Sequence, residues 1–350
     1  MERRTFLGTS ALSGAGLGAA AEQQAAEGKK WAKQAGYTPT LYANSRSGWS
    51  PFTTPDYYGY ADDLVVERHQ PGKPHAGKVL AAVQAHSDDI SIYAGGLVAK
   101  LVDEGYTAYL IRISNDEAAG STLGHGVVQN EIDNQEVAKA LGCKKAFSFY
   151  YRNHRMDDCA EIEIRQRLIF LFRVLQVNTI ITMDPYNHYD ENPDHLVAGR
   201  VTEAACWLSG AGKDYPEHYR AGLKPARIRE KYYHARSPNG HNVVNRIVDI
   251  TAHIDQKVRG NVANKGKGPA GQAGSRLRAE LDAKGMKLPL LGDDDDTANH
   301  QYVKHFLMED WKRLGARFGV GYAEAFRYIG PELAHQDEIR KYVAQNAVRR

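Results

Sequence analysis

Cysteine is scarce in this chain: the 350 residues contain three, Cys143, Cys159 and Cys206, with no CxxC spacing among them. That excludes a cysteine-ligated zinc knuckle and leaves room for at most one internal disulfide. No run of about 20 apolar residues follows the N-terminus, which argues against a membrane-spanning helix. An excess of one charge is also lacking. The formal balance is +3, so the chain has no footprint of a dedicated nucleic-acid binder. No GxGxxG fingerprint follows the first clear strand, which disfavours a dinucleotide-binding protein. Internal repeats are absent. What remains is an ordinary globular composition, 42% hydrophobic and 25% charged. The length allows one large or two small domains with a sizeable core.

The first residues, Met1-Glu-Arg3-Arg4-Thr-Phe6-Leu7-Gly, lead into a weakly apolar Ala/Gly/Ser/Leu segment. Paired arginines in that setting resemble a twin-arginine export signal, with Ala19-Ala20-Ala21 as a cleavage point before Glu22. The expectation is a signal peptide over residues 1–21 and a mature chain exported to the periplasm or beyond, without a transmembrane anchor. Residues 22–75 show no helical or strand period. They carry many aromatics, including Trp31, Tyr37, Tyr42, Trp49, Tyr57, Tyr58 and Tyr60, and read as an N-terminal arm packed across the surface, the alternative being an arm that lines a carbohydrate-binding cleft.

From Lys78 the pattern turns regular. An apolar run over 79–85 predicts a strand, followed by a helix over 91–104 that Gly105 closes. Further strands are expected at 107–113, 146–151 and 177–183, with helices over 128–141 and 161–175 between them. Such alternation indicates βαβ units on a mostly parallel, Rossmann-like sheet with helices on both faces. Asn192-Pro193 reads as the N-cap and first position of a helix reaching about Leu208. Strands are expected at 229–235 and 245–250, a helix from Thr251, another over 300–318, and a charged helical tail at the C-terminus. Residues 76–350 then form one catalytic domain, with a low-complexity insertion at about 260–300 and a C-terminal extension. The run Asp293–Asp296 lacks the alternating spacing of a calcium loop and is expected to be a solvated loop.

Two polar loops stand out, each just beyond a predicted strand. The first is His86-Ser-Asp88-Asp89, and the second is Asp184-Pro-Tyr-Asn-His188-Tyr-Asp190-Glu-Asn192-Pro-Asp194-His195. Ligands of open α/β sheets bind outside the carboxyl ends of the strands. His86 and Asp89 form a short-range pair of candidate metal ligands, and His195 supplies a third. Three protein ligands with one place left for water is the arrangement of a catalytic zinc, which lowers the pKa of its water to about 7. Asp88, beside a ligand but free of the metal, is a candidate general base.

The loops resemble a known family. The first is similar to the Ala-His-Pro-Asp-Asp-Glu signature, and the second to the His-Pro-Asp-His motif, of the PIG-L/LmbE-like zinc-dependent N-deacetylases. Further matches fall in order: Gly95-Gly96, Ser114–Gly120, Ala140-Leu141-Gly142, Val248-Asp249-Ile250 with Ile254-Asp255-x-Lys257, and Tyr322–Phe326. The resemblance covers about residues 78–258 and 318–330. It implies an LmbE-like fold and one Zn2+ held by His86, Asp89 and His195, with Asp88 as base and Asp194 as an orienting carboxylate. It also implies hydrolysis of an acetamide on an N-acetylated sugar or glycoconjugate by zinc-bound hydroxide, the metal stabilising the oxyanion. Three positions depart from the pattern. Ser87 stands for a proline, Ile90 for an acidic residue, and Asn192 for a histidine that aids the oxyanion or protonates the leaving amine. Asparagine donates hydrogen bonds but delivers no proton, so His188, or Asp88 once protonated, is expected to supply the acid. The alternative is a catalytically weakened, carbohydrate-binding protein of the same fold that keeps its metal.

Overall fold

The computed structural model describes residues 59–119, 123–186, 190–234, 243–267, 271–330 and 335–349. The expected signal at 1–21 and the arm up to residue 58 lie outside them, as does His188. The strands are β1 (Gly59–Glu67), β2 (Val79–Gln84), β3 (Thr107–Ser114), β4 (Lys145–Tyr151), β5 (Thr179–Met183), β6 (Glu230–His234), β7 (Val243–Asp249) and β8 (Ala323–Ile329). They form one sheet in the order β1-β7-β8-β6-β5-β2-β3-β4. All neighbours pair in parallel except β8, which runs antiparallel to both β6 and β7. The sheet is the mostly parallel one expected. Residues 59–67, which showed no strand period, are nonetheless its edge strand, paired with β7.

β2 is covered on both faces, which is why it reads as an almost unbroken apolar run. Leu80 and Ala82 pack into one hydrophobic cluster, and Ala81, Val83 and Ala85 into another on the opposite face. The first face is covered by α1 (Asp89–Tyr93), α2 (Gly95–Asp103), α3 (Leu123–Ala140) and α7 (Ile254–Ala263). The second is covered by α4 (Glu161–Leu175) and α5 (Pro193–Ser209), with the short α6 (Pro216–Arg220) following α5. The chain lays β3 and β4 to one side of β2 and then returns through α4 to place β5 on the other. The carboxyl ends of β2 and β5 therefore flank a topological switch point, the crevice where such sheets bind ligands. Both polar loops begin there.

Two expected helices are divided. The one over 91–104 breaks at Ala94 (φ −140°, ψ 10°) into α1 and α2. A Cβ on Gly96 would lie 2.6 Å from the Ile250 side chain, so this turn needs glycine to meet β7's continuation. The one over 300–318 becomes α9 (Asp295–Tyr302), a wide π turn at Val303–Leu307, and α10 (Glu309–Arg317). Val303, Met308 and Trp311 all face the core this way. Residues 260–300 are not structureless: they include α8 (Ala273–Asp282) and the start of α9, with Leu291 fully buried. Asp294 accepts from Thr297 N at 2.8 Å, so the acidic run is partly a helix cap. A helix α11 (His335–Asn346) closes the described chain.

One buried ion pair ties the sequence-distant parts together. Glu324 on β8 accepts from Gly96 N (2.9 Å) and Leu97 N (2.8 Å), occupying the N-terminus of α2. Lys257 of α7 donates to the same carboxylate at 2.6 Å, and its Nζ lies 4.4 Å from the Trp311 ring. Both side chains are fully buried. Removing one partner strands the other charge, so Glu324→Ala is expected to cost about 3–5 kcal/mol. Denaturant unfolding against the parent measures this; a loss under 1 kcal/mol would remove the pair from the core's support.

Candidate active site and metal pocket

The break after β2 places His86 and Asp89 on one turn, held by His86 N donating to Asp89 Oδ2 at 2.9 Å. Asn192 caps α5 as expected, its Oδ1 accepting from Asp194 N at 3.0 Å. That cap sets Asp194 and His195 in the first helical turn, facing the first loop. His86 Nδ1 lies 3.1 Å from His195 Nε2, His195 Nε2 lies 3.3 Å from Asp89 Oδ1, and His86 Nδ1 lies 3.7 Å from Asp89 Oδ2. All three residues are buried.

Each imidazole turns its far nitrogen to another carboxylate. His86 Nε2 is 3.1 Å from Asp194 Oδ2, and His195 Nδ1 is 2.7 Å from Asp190 Oδ2. Asp194 is itself fixed by the backbone N–H groups of His154 (2.7 Å) and Met156 (3.2 Å). Such partners hold the proton on the far nitrogen and leave the near one as a lone pair. The two near nitrogens then face each other across 3.1 Å with a carboxylate beside them, a donor set that calls for a cation. Tetrahedral bonds of zinc length put neighbouring ligand atoms about 3.3 Å apart, which is close to the spacing found. The pocket's charge says the same. Burial opposes protonation of His195, but Asp89 and Asp190 outweigh it and push its pKa up to about 10. His86 is raised too: Asp194 and Asp89 overcome burial and the charge of Lys267. His86, Asp89 and His195 could thus hold one divalent metal.

Asp88, next to Asp89 in the chain, stays partly exposed. Its Oδ1 lies 3.4 Å from Lys267 Nζ, which donates to Asp116 Oδ1 at 2.7 Å. Lys267 follows α7, inside the stretch expected to be an insertion, and only the fold brings it here. Asp116 comes from the loop after β3 and adopts a left-handed φ of 55°. It also accepts from Ser87 N at 2.9 Å. A proline at position 87 would have no N–H to give, so the serine is matched by a bond. The Ile90 side chain is fully buried in the core cluster with Leu97 and Ala94, serving packing. His234, at the end of β6, stacks on Tyr93 with ring centroids 5.4 Å apart. Burial pulls its pKa down to about 4, and neither ring nitrogen has a hydrogen-bond partner among the described residues. Asp190, Asp116, Lys267 and His234 were not singled out from sequence. Asp190 sat in the second loop in plain view and Asp116 in the Ser114–Gly120 match, while no local pattern marks Lys267 or His234.

Fold and pocket together define an α/β protein with, at its switch point, a buried His/Asp/His group that could hold a metal. Residues 81–206, which contain both loops, match the family model PIG-L: GlcNAc-PI de-N-acetylase, and the resemblance seen in the loops holds. The chain is 24% identical over 187 residues to the diacetylchitobiose deacetylase of Thermococcus kodakarensis, covering 52% of this chain and 67% of that one. Among solved structures, the N,N'-diacetylchitobiose deacetylase of Pyrococcus horikoshii shares the fold with a TM-score of 0.56 at 20% identity, over 74% of this chain and 86% of that one. A 4-carboxy-2-hydroxymuconate hydratase from Pseudomonas putida also shares it, with a TM-score of 0.51 at 18% identity, over 74% and 98%. The fold alone therefore leaves the reaction open.

The charges around Asp116 give a test of the loop assembly. Burial works against its ionised form, but Lys267, His86 and Arg112 outweigh burial and hold its pKa well below the usual carboxylate range. A depressed carboxylate contributes stability above its unfolded pKa and loses it as pH falls toward the folded one. Asp116→Asn is expected to be less stable than the parent at pH 7, with the gap closing as the pH falls below about 4. Unfolding at pH 7 and pH 3 measures the gap; an unchanged gap would show that the charge of Asp116 is not what matters.

Proposed function

We propose that this chain is an exported, zinc-dependent N-deacetylase that hydrolyses the acetamide of an N-acetylated amino sugar or glycoconjugate. The observation that carries the reading is the facing pair His86 Nδ1 and His195 Nε2 with Asp89, backed by Asp194 and Asp190. The relatives support the substrate class, two of them being diacetylchitobiose deacetylases. Arg3-Arg4 and the segment to Ala21 support export. Imidazole with carboxylate suits zinc among the available metals.

Bound by His86, Asp89 and His195, the dication supplies Lewis-acid polarisation and a water acidic enough to attack near neutrality. The chain's own groups do the rest. Asp88, at the pocket's edge, takes the attacking water's proton. Lys267, anchored by Asp116, positions the Asp88 carboxylate and brings a positive charge beside it. One carbon–oxygen bond forms and the amide carbon–nitrogen bond breaks, giving acetate and an amine. The amine takes its proton from Asp88 or from His188. The Asn192 side-chain oxygen is committed to its cap and its amide donates a hydrogen bond but no proton, which favours the second reading, a metal-loaded sugar binder with weak turnover.

Acetate release from N-acetylglucosamine oligomers separates the two readings. The zinc-loaded chain is expected to release acetate, and a chelator to stop it until Zn2+ is restored. Asp88→Asn is expected to lose about 10²–10⁴ in rate while keeping its zinc. Undiminished release in that variant would remove Asp88 from the mechanism, and zinc without acetate from the parent would favour the binder. His188→Ala tests the acid: an unchanged turnover number and pH profile would leave Asp88 as the donor.

A further inference from the structure

A second group of metal-ligating side chains lies outside the pocket, at the opposite end of α7. His69 follows β1, Asp103 ends α2, and His253 immediately precedes α7. His253 Nε2 lies 3.3 Å from Asp103 Oδ2, and His69 Nε2 lies 3.7 Å from the same oxygen. One ligand atom from each residue falls within 4.8 Å of the others. Tetrahedral zinc separates its ligand atoms by about 3.3 Å, so a cation seats here after a small inward shift of His69. The side chain of His69 is about one-third exposed and that of Asp103 half exposed, so the shift is cheap.

Three features set this group apart from a surface ion pair. First, His69 turns its Nδ1 to the fully buried carboxylate of Glu104, 3.5 Å away. A carboxylate on that side of the ring favours a proton on Nδ1 and so leaves Nε2 for a metal. Glu104 is itself held by Lys100 at 3.0 Å and by Gln70 N at 2.7 Å. Second, His253 is buried, and its one polar partner is Asp103, since its Nδ1 has none among the described residues. The ring is committed to this cluster. Third, the ligands come from three separate segments, so a shared cation links them. Lys73 is the competing group: its Nζ lies 3.8 Å from Asp103 Oδ1, the oxygen that the histidines leave free.

We propose that His69, Asp103 and His253 form a second, structural binding site for a divalent metal of the zinc type. Two imidazoles and a carboxylate select such an ion over calcium or magnesium, which prefer all-oxygen cages. The site lies at the start of α7, and Lys267 lies just past that helix's end. A ten-residue helix spans about 15 Å, so the ion does no chemistry at the pocket. It clamps the edge strand β1 and α2 to the helix that leads to Lys267.

The test is Zn2+ stoichiometry on the metal-stripped full chain, by competition against a chelating dye. Two equivalents are expected for the parent and one for His195→Ala. One equivalent is also expected for His253→Ala and for Asp103→Asn, and none for His195→Ala combined with Asp103→Asn. Asp103 is half exposed, so its variant keeps the test valid if His253→Ala fails to fold. A parent that binds one equivalent and loses it in His195→Ala overturns the second site, as does Asp103→Asn binding two. Loss of the pocket's zinc in His195→Ala is read separately, so failure of one site is distinguishable from failure of the other.

Discussion

Three carboxylates press on two imidazoles that face each other, and much of the structure around the switch point serves to hold that arrangement. Asp89, Asp190 and Asp194 surround His86 and His195 in a buried pocket. The carboxylates raise the pKa of both imidazoles against the effect of burial, so the pocket favours positive charge. The backbone around them is shaped to this end. His154 adopts a left-handed φ of 58°, and its N–H donates to Asp194. Asn192 starts α5 at the residue that points Asp194 and His195 inward. Strain and capping at such positions persist only because the surroundings fix them.

The fold was legible where the physics is local. β2 is apolar on both faces and could be read as a strand; Gly105 and Asn192-Pro193 mark helix ends by backbone preference alone. The grouping of His86, Asp89 and His195 also followed from local rules, because both loops leave strand ends at one rim. What could not be read depends on distance along the chain. Lys267 lies 151 residues from Asp116, to which it donates, and belongs to a Gly/Lys stretch with no period of its own. β1 escaped because it is an edge strand, paired on one side only, and its sequence bears no alternation. The helix divisions at Ala94 and Val303–Leu307 respond to tertiary contacts with Ile250 and with the core, which local propensity does not register.

The departures from the family pattern have unequal consequences. At position 87 serine replaces proline and gains a hydrogen bond to Asp116, which in turn holds Lys267. At position 90 isoleucine goes to the core, so an acidic side chain there would be buried without a partner. These two changes fit the rest of the chain. Asn192 fits as a cap but brings no acid. Lys267 lies 3.4 Å from Asp88, and His234, at the end of β6, has no hydrogen-bond partner on either ring nitrogen among the described residues.

α7 connects these observations. Its middle is anchored by Lys257, paired with Glu324, and Glu324 in turn occupies the N-terminus of α2. Its far end leads into the turn that delivers Lys267 to Asp88 and Asp116. Its start carries His253 against Asp103, the last residue of α2. α2 and α7 are thus fixed to each other at both ends of α2, by Glu324 at one and by the His69–Asp103–His253 group at the other. Two fastenings on one helix pair resist both sliding and rotation, whereas either alone leaves one of these free. The lysine beside the candidate base is thus held directly by Asp116, and the helix that leads to it is fastened far from the site.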